Sequence, residues 1–133
     1  MTQRSEYGDW SVLRELYLED SYVLEILECP GELTFRMEFV LREGHPRYRA
    51  PRHGEKYCYE RGELTFQGVT ALRWLERNDV VSLDATSERD LGNVDQLYCE
   101  DGRYTACGDW GRVTFAAQNV VAKLRADAGA LPH

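Results

Sequence analysis

The sequence predicts an all-β fold, an antiparallel sandwich or partly open barrel of about eight or nine short strands. A short N-terminal helix would make it a β-rich α+β fold. One supporting pattern is a pentapeptide that occurs three times, as Gly-Glu-Leu-Thr-Phe at 31–35 and 62–66 and as Gly-Arg-Val-Thr-Phe at 111–115. Each copy is typical of a turn that enters a strand, because glycine tolerates positive φ and the following residues suit a pleated surface. A second pattern is the period-two alternation over 33–41, which places five apolar side chains on one face.

The N-terminal elements are predicted from apolar spacing. Between Asp9 and Tyr17 the spacing slightly favours a short helix capped by Asp9, and a strand is the competing interpretation. Residues 19–21 predict a turn, and 22–28 predict a strand. The Cys-Pro-Gly sequence at 29–31 predicts a tight reversal into the next strand, since proline and glycine suit its two corners.

The middle of the chain predicts a long loop followed by a hairpin. Residues 42–56 contain two prolines and two glycines, which break the strand pattern and indicate a surface loop. A strand at 57–60 is expected to turn at Arg61-Gly62 and return as the second repeat. Gly68 predicts a bend or bulge. Residues 69–76 are apolar on both sides, as in a central strand.

The clearest turn dipeptide is Asp101-Gly102, which is typical of a two-residue hairpin connection. The resulting register places Cys99 opposite Tyr104 rather than Cys107. This placement argues against a disulfide bond between the two cysteines.

The length predicts one domain over residues 1–125 and a frayed tail at 126–133, since about 100–150 residues is the commonest domain size. Before that tail, 113–124 predicts either one strand or a strand that breaks near Gln118-Asn119 into a short helix. An apolar content of 43% excludes a disordered chain. The formal charge of −7 argues against general nucleic-acid binding, because an acidic surface repels phosphate groups.

The sequence favours a cytoplasmic protein. The opening residues lack the apolar region of a signal peptide, and no apolar run approaches the length of a membrane span. The four cysteines are spaced too irregularly for a zinc ribbon or a redox pair, so reduced thiols are expected. We expect no metal or other cofactor.

Catalytic motifs are weak. His45 and His53 lie eight residues apart, without the i, i+4 spacing of a helical zinc pair. The acidic stretch 90–95 resembles a calcium loop only in part, because the EF-hand glycine and glutamate positions do not match. The sequence contains neither a Gly-x-Ser-x-Gly nucleophile motif nor a Walker lysine. An enzyme is therefore the less favoured interpretation.

The loop 42–56 is the first candidate for partner binding. It concentrates basic and aromatic side chains of the kind enriched at protein interfaces. The candidate residues are His45, Arg47, Tyr48, Arg49, Arg52 and His53. A homodimer contact is one form of this hypothesis. The competing interpretation is a solvated loop whose positive charge balances an acidic protein.

A second candidate is an acidic loop that would attract a basic partner. Its residues are Asp84, Glu88, Asp90 and Asp95. The competing interpretation is charge that keeps the protein soluble.

Three stretches together resemble small bacterial toxin-immunity-type proteins and related β-rich families. They are Leu-Glu-Asp-Ser-Tyr-Val-Leu-Glu-Ile at 18–26, the Gly-Glu-Leu-Thr-Phe strand followed by Val69, and the Gly-Arg-Val-Thr-Phe strand at 111–115. The resemblance implies a compact cytoplasmic protein that neutralises a toxin by binding it. It implies no particular site residue.

These observations predict a small cytoplasmic protein-binding module of unknown specificity. An immunity-type protein is one form of this hypothesis. The alternative is a small-ligand-binding β protein or an enzyme with a pocket inside the sheet. An internal pocket of this kind would be lined by the phenylalanine and tyrosine positions of the repeats.

Overall fold

The structure, a computed structural model, describes residues 3–51, 53–78, 82–83 and 89–125, the backbone alone at 82–83 and 89–90. Strands dominate these residues. Their bounds are β1 Arg4–Glu6, β2 Leu16–Cys29, β3 Glu32–Leu41, β4 Cys58–Gln67, β5 Thr70–Arg77, β6 Ser82–Leu83, β7 Arg89–Asp90, β8 Val94–Glu100, β9 Arg103–Gly108, β10 Gly111–Ala116 and β11 Asn119–Leu124. The predicted all-β class is confirmed.

The strands form two main antiparallel sheets. The five-stranded sheet has the order β1-β8-β9-β10-β5, the four-stranded sheet has the order β11-β4-β3-β2, and β6 pairs with β7. The chain crosses between the main sheets after β1, after β4 and again after β10. Hydrogen bonds from Val23 N to Gly92 O and from Leu91 N to Val23 O, each 2.8 Å, join β2 of the four-stranded sheet to the segment that leads into β8 of the five-stranded sheet. The result is a sandwich that is closed where these two elements meet.

The repeats bring their phenylalanines together in the core. The Phe66 ring centroid lies 6.2 Å from Phe35 and 4.7 Å from Phe115, both in edge-to-face geometry. Phe66 and Phe115 belong to opposite sheets, and all three rings are buried. The three copies of the pentapeptide therefore supply one shared aromatic cluster that fills the space between the sheets.

Alternation along β3 separates the core from an outer face. The odd-numbered side chains from Leu33 to Leu41 are buried. The even-numbered side chains, including Arg36 and Glu38, lie on the opposite surface, which is the outer face of the four-stranded sheet. Thr34 pairs with Thr65 there, and their hydroxyl oxygens are 3.1 Å apart.

The predicted hairpin at Arg61-Gly62 is wrong, because β4 runs without interruption through both residues. Gly62 instead pairs with Met37 on one side and Leu124 on the other. A Cβ atom at Gly62 would lie 2.4 Å from the Lys123 carbonyl oxygen. The glycine is needed for close strand approach rather than for a turn.

The N-terminal helix and the turn at 19–21 are also wrong. Two short 3₁₀ turns, Tyr7–Asp9 and Ser11–Leu13, precede β2, and 19–21 lie inside that strand. The register of β2 shifts in this region, which marks a bulge. The Ser21 hydroxyl satisfies the bulged backbone, since it donates to Tyr17 O at 2.7 Å and accepts from Val40 N at 2.8 Å.

Strand β5 is an edge strand and not the predicted central one. Bulges interrupt its pairing with β10, so that Leu72 and Trp74 pack on the core while Leu75 is 51% exposed. Of the two interpretations of 113–124, the break is correct, but the chain continues as strand β11 and not as a helix.

The Asp101-Gly102 hairpin is confirmed. Both residues have positive φ, 52° and 82°, as a type I′ turn requires. Cys99 pairs with Tyr104, and all four cysteines are free. The predicted tail at 126–133 lies outside the described residues.

Candidate binding site

The long loop, residues 42–57 between β3 and β4, folds onto an exposed edge of β4. Strand β11 covers only residues 62–67 of β4, so the carbonyl of Tyr59 has no strand partner on that side. The Arg49 guanidinium donates to this carbonyl at 3.3 Å, and Arg47 pairs with Glu60 at 3.4 Å. Two of the predicted partner-binding arginines therefore cover a strand edge that would otherwise remain open.

His45 holds the turn that presents these arginines. Its Nδ1 atom accepts a hydrogen bond from Arg47 N at 3.0 Å, and its own backbone N–H donates to Arg42 O. Burial, and then the nearby Arg47 charge, lower the pKa of His45 below its ordinary value. The neutral ring is the form that the loop needs, because a protonated Nδ1 cannot accept a hydrogen bond.

A pH dependence follows from His45. Because its pKa is lower in the folded chain, the unfolded chain binds the proton more readily, and the free energy of unfolding falls as the pH drops below about 6.5. His45→Asn keeps a hydrogen-bond acceptor but does not titrate. We expect its urea midpoint to fall less than that of the wild type between pH 7.5 and 5.5. The same pH dependence in both proteins would contradict this role.

The other predicted loop residues differ in their placement. Tyr48 is half-buried against the core cluster, and His53 is exposed. Arg52 lies outside the described residues. In the acidic candidate, Asp95 is exposed on β8, and Asp90 lies in β7. Asp84, Glu88 and the Asp90 side chain lie outside the description, so the acidic site stays a prediction.

A cavity of about 310 Å³, the loop pocket, lies between the loop 42–57 and strands β2, β3 and β4. Tyrosine, proline and aliphatic groups form its walls, and two exposed cations and one exposed carboxylate lie at its rim. The lining residues are Tyr17, Val40, Leu41, Arg42, Glu43, Tyr48, Pro51, Lys56, Tyr57 and Cys58. Its volume is at the lower end of the roughly 300–1,000 Å³ range of ligand pockets.

The two rim cations contact aromatic walls. The Arg42 guanidinium carbon lies 4.9 Å from the Tyr17 ring centroid, and Lys56 Nζ lies 5.2 Å from that of Tyr57. The Tyr57 hydroxyl donates to the Asp20 carboxylate at 2.7 Å, and this bond raises the pKa of Tyr57. An apolar wall beside positive charge suits an apolar or aromatic group that carries a neighbouring carboxylate.

A row of tyrosines continues from the pocket across the outer face. The Tyr57 ring meets Tyr59 edge-on at 6.1 Å, and Tyr59 stacks on Tyr22 at 6.2 Å. Burial raises the pKa of Tyr59 to about 12. Tyr22 is 38% exposed. The row, Tyr57, Tyr59 and Tyr22, is a rigid amphipathic surface of the type that protein interfaces use.

Of the ten residues that line the loop pocket, only Tyr48 was among the predicted partner-binding residues. Tyr17, Val40 and Tyr57 lie in or beside strands and resemble core residues in the sequence. Strand pairing brings them under the loop, because Val40 pairs with Tyr17 on one side and Tyr59 on the other. The length of the loop was the signal that could have identified these residues, because a long loop packs over the outward-facing residues of the strands that it connects.

Comparisons of the chain with protein-family models, with curated protein sequences and with solved structures find no match. Within the described part of the chain, no helix has the length and apolar character to span a membrane. The same residues contain no group of three or more His, Cys, Asp or Glu side chains placed to hold a metal ion.

Proposed function

We propose that this protein is a protein-binding module that receives a side chain of its partner in the loop pocket. The supporting observation is the composition of that pocket, in which tyrosine walls are combined with the exposed cations Arg42 and Lys56. Tyrosine and arginine dominate the energetically important residues of protein interfaces, since they bury large areas and form directional contacts. The adjoining tyrosine row extends the contact surface beyond a single anchor.

The resemblance to immunity-type proteins adds a specific form of this proposal, in which the partner is a toxin that the module neutralises by binding. A small-ligand function is the second candidate, and the pocket volume of about 310 Å³ favours it. In that case the ligand would be an aromatic acid, because the same walls and rim charges would hold its ring and carboxylate. The interior offers less support for a ligand site, since the repeat phenylalanines pack on one another there.

Differential affinity capture from the native host tests the proposal. The baits are the wild type, the double variant R42E/K56E, and the control R73E/R112E, whose exposed arginines lie on the five-stranded sheet. Both variants change the net charge equally. We expect one protein to be retained by the wild type and the control and to be recovered about tenfold less with R42E/K56E.

Equal recovery with all three baits would contradict binding at the loop pocket. Recovery of no protein, together with a small aromatic acid that binds the wild type but not R42E/K56E, would favour the ligand function instead.

A further inference from the structure

A second groove, the basic groove, crosses the outer face of the four-stranded sheet. Its volume is about 420 Å³, and it contacts all four strands from Leu24 on β2 to the end of β11. Four basic side chains and one carboxylate line it. These charged residues are Arg36, Arg61, Glu63, Lys123 and Arg125.

Strand pairing assembles this charge from distant parts of the chain. Glu63 pairs with Arg36 on one side and with Lys123 on the other. The backbone N–H of Arg125 donates to Arg61 O at 2.7 Å, which fixes the end of β11 beside β4. Four basic side chains are therefore held together on a chain whose formal charge is −7.

The four cations of the basic groove are accessible to the carboxylates of a binding partner. Arg36 pairs with Glu25 at 3.0 Å, and their side chains are 43% and 50% exposed. Arg61 pairs with Glu38 at 3.5 Å, and their side chains are 40% and 26% exposed. Such exposed pairs contribute no more than about 1 kcal/mol, so an incoming carboxylate competes with them easily. Lys123 and Arg125 are exposed, and neither forms an ion pair with another residue that the structure describes.

We propose that the basic groove binds an acidic polypeptide segment in an extended conformation. This inference rests on the proposed function, and it specifies the chemistry of the partner. A groove across four strands spans roughly 14 Å, which matches about four residues of an extended chain. Arginine and lysine together suit carboxylates, and the arginines allow bidentate contacts. A nucleic acid carries a phosphate at every nucleotide, so the formal charge of −7 repels it more strongly than a polypeptide segment that bears only a few carboxylates.

The groove and the loop pocket are close enough to share one partner. Arg36 of the groove and Val40 of the pocket are four residues apart on β3, a distance of roughly 13 Å. Tyr22, at one end of the tyrosine row, lies between the two sites, since it pairs with Glu38. A partner segment that places an anchor in the pocket and carboxylates in the groove would cover this whole face.

Titration of the isotope-labelled full chain with a hexaglutamate peptide at low salt tests the proposal by NMR. We expect saturable shifts of amide resonances in β3, β4 and β11 around the groove. The variant K123E/R125E should bind at least about fivefold more weakly, since two charge contacts are reversed. The control R73E/R112E has the same net charge and should bind as the wild type within about twofold.

Equal weakening in both variants would overturn the proposal, because net charge alone would then explain binding. Shifts confined to the five-stranded sheet, or tighter binding of an oligothymidylate than of hexaglutamate, would also overturn it. The capture experiment remains separate, because R42E/K56E leaves the groove intact. If the wild type does not bind hexaglutamate but partner capture still depends on Arg42 and Lys56, the proposed role of the basic groove is refuted and the protein-binding function is not.

Discussion

Phe66→Ala is expected to lower the free energy of unfolding by about 3–5 kcal/mol. Phe66 is fully buried, and its ring meets Phe35, Tyr104 and Phe115 at centroid distances of 6.2, 5.4 and 4.7 Å. These contacts connect the two sheets. Truncation to alanine would leave a cavity between them, and rings held on opposing strands cannot move far enough to close it.

Urea denaturation measures this loss, and Leu75→Ala is the matched control. Leu75 is also a large apolar residue in a strand, but it is 51% exposed, so its truncation should cost less than about 1 kcal/mol. A similar small loss at Phe66 would mean that the repeat phenylalanines do not form one shared core.

Gly62→Ala should destabilise the protein by about 1–3 kcal/mol through overpacking. The added Cβ would lie 2.4 Å from Lys123 O and 2.9 Å from Leu124 Cα. Both are backbone atoms, so they can move away only if β11 shifts relative to β4. Hydrogen exchange should therefore accelerate at the β11 amides that pair with β4.

Gly8→Ala is the control for this substitution, since nothing lies within 4 Å of a Cβ at that position. Its urea midpoint should stay close to that of the wild type. An unchanged urea midpoint for Gly62→Ala would contradict the claim that β4 and β11 approach too closely at this position to accept a side chain.

Local sequence was sufficient for the elements whose cause is local. The alternation over 33–41 predicted β3, and Asp101-Gly102 predicted the hairpin, because a positive φ at both turn residues is a property of the dipeptide itself. Gly62 shows where local inference fails. A glycine that allows a distant strand to approach has the same local pattern as a glycine that turns the chain.

The site was predictable only in part for the same reason. The loop 42–56 was recognisable from its prolines and charge, and Tyr48 does line the pocket. Arg47 and Arg49 were expected to face a partner, yet their contacts are with Glu60, Glu55 and the β4 backbone. The basic groove depends on strand pairing between β3, β4 and β11, and no contiguous stretch of sequence contains it.

Site-specific photo-crosslinking in the native host measures most directly which face binds the partner. A photoreactive phenylalanine analogue is placed at Tyr22, on the tyrosine row, or at Leu75, on the opposite sheet. Leu75 is the more exposed of the two, at 51% against 38%, so exposure alone would favour crosslinking there. We expect a discrete protein adduct from position 22 and none from position 75. An adduct from position 75 with none from position 22 would contradict binding at the outer face of the four-stranded sheet.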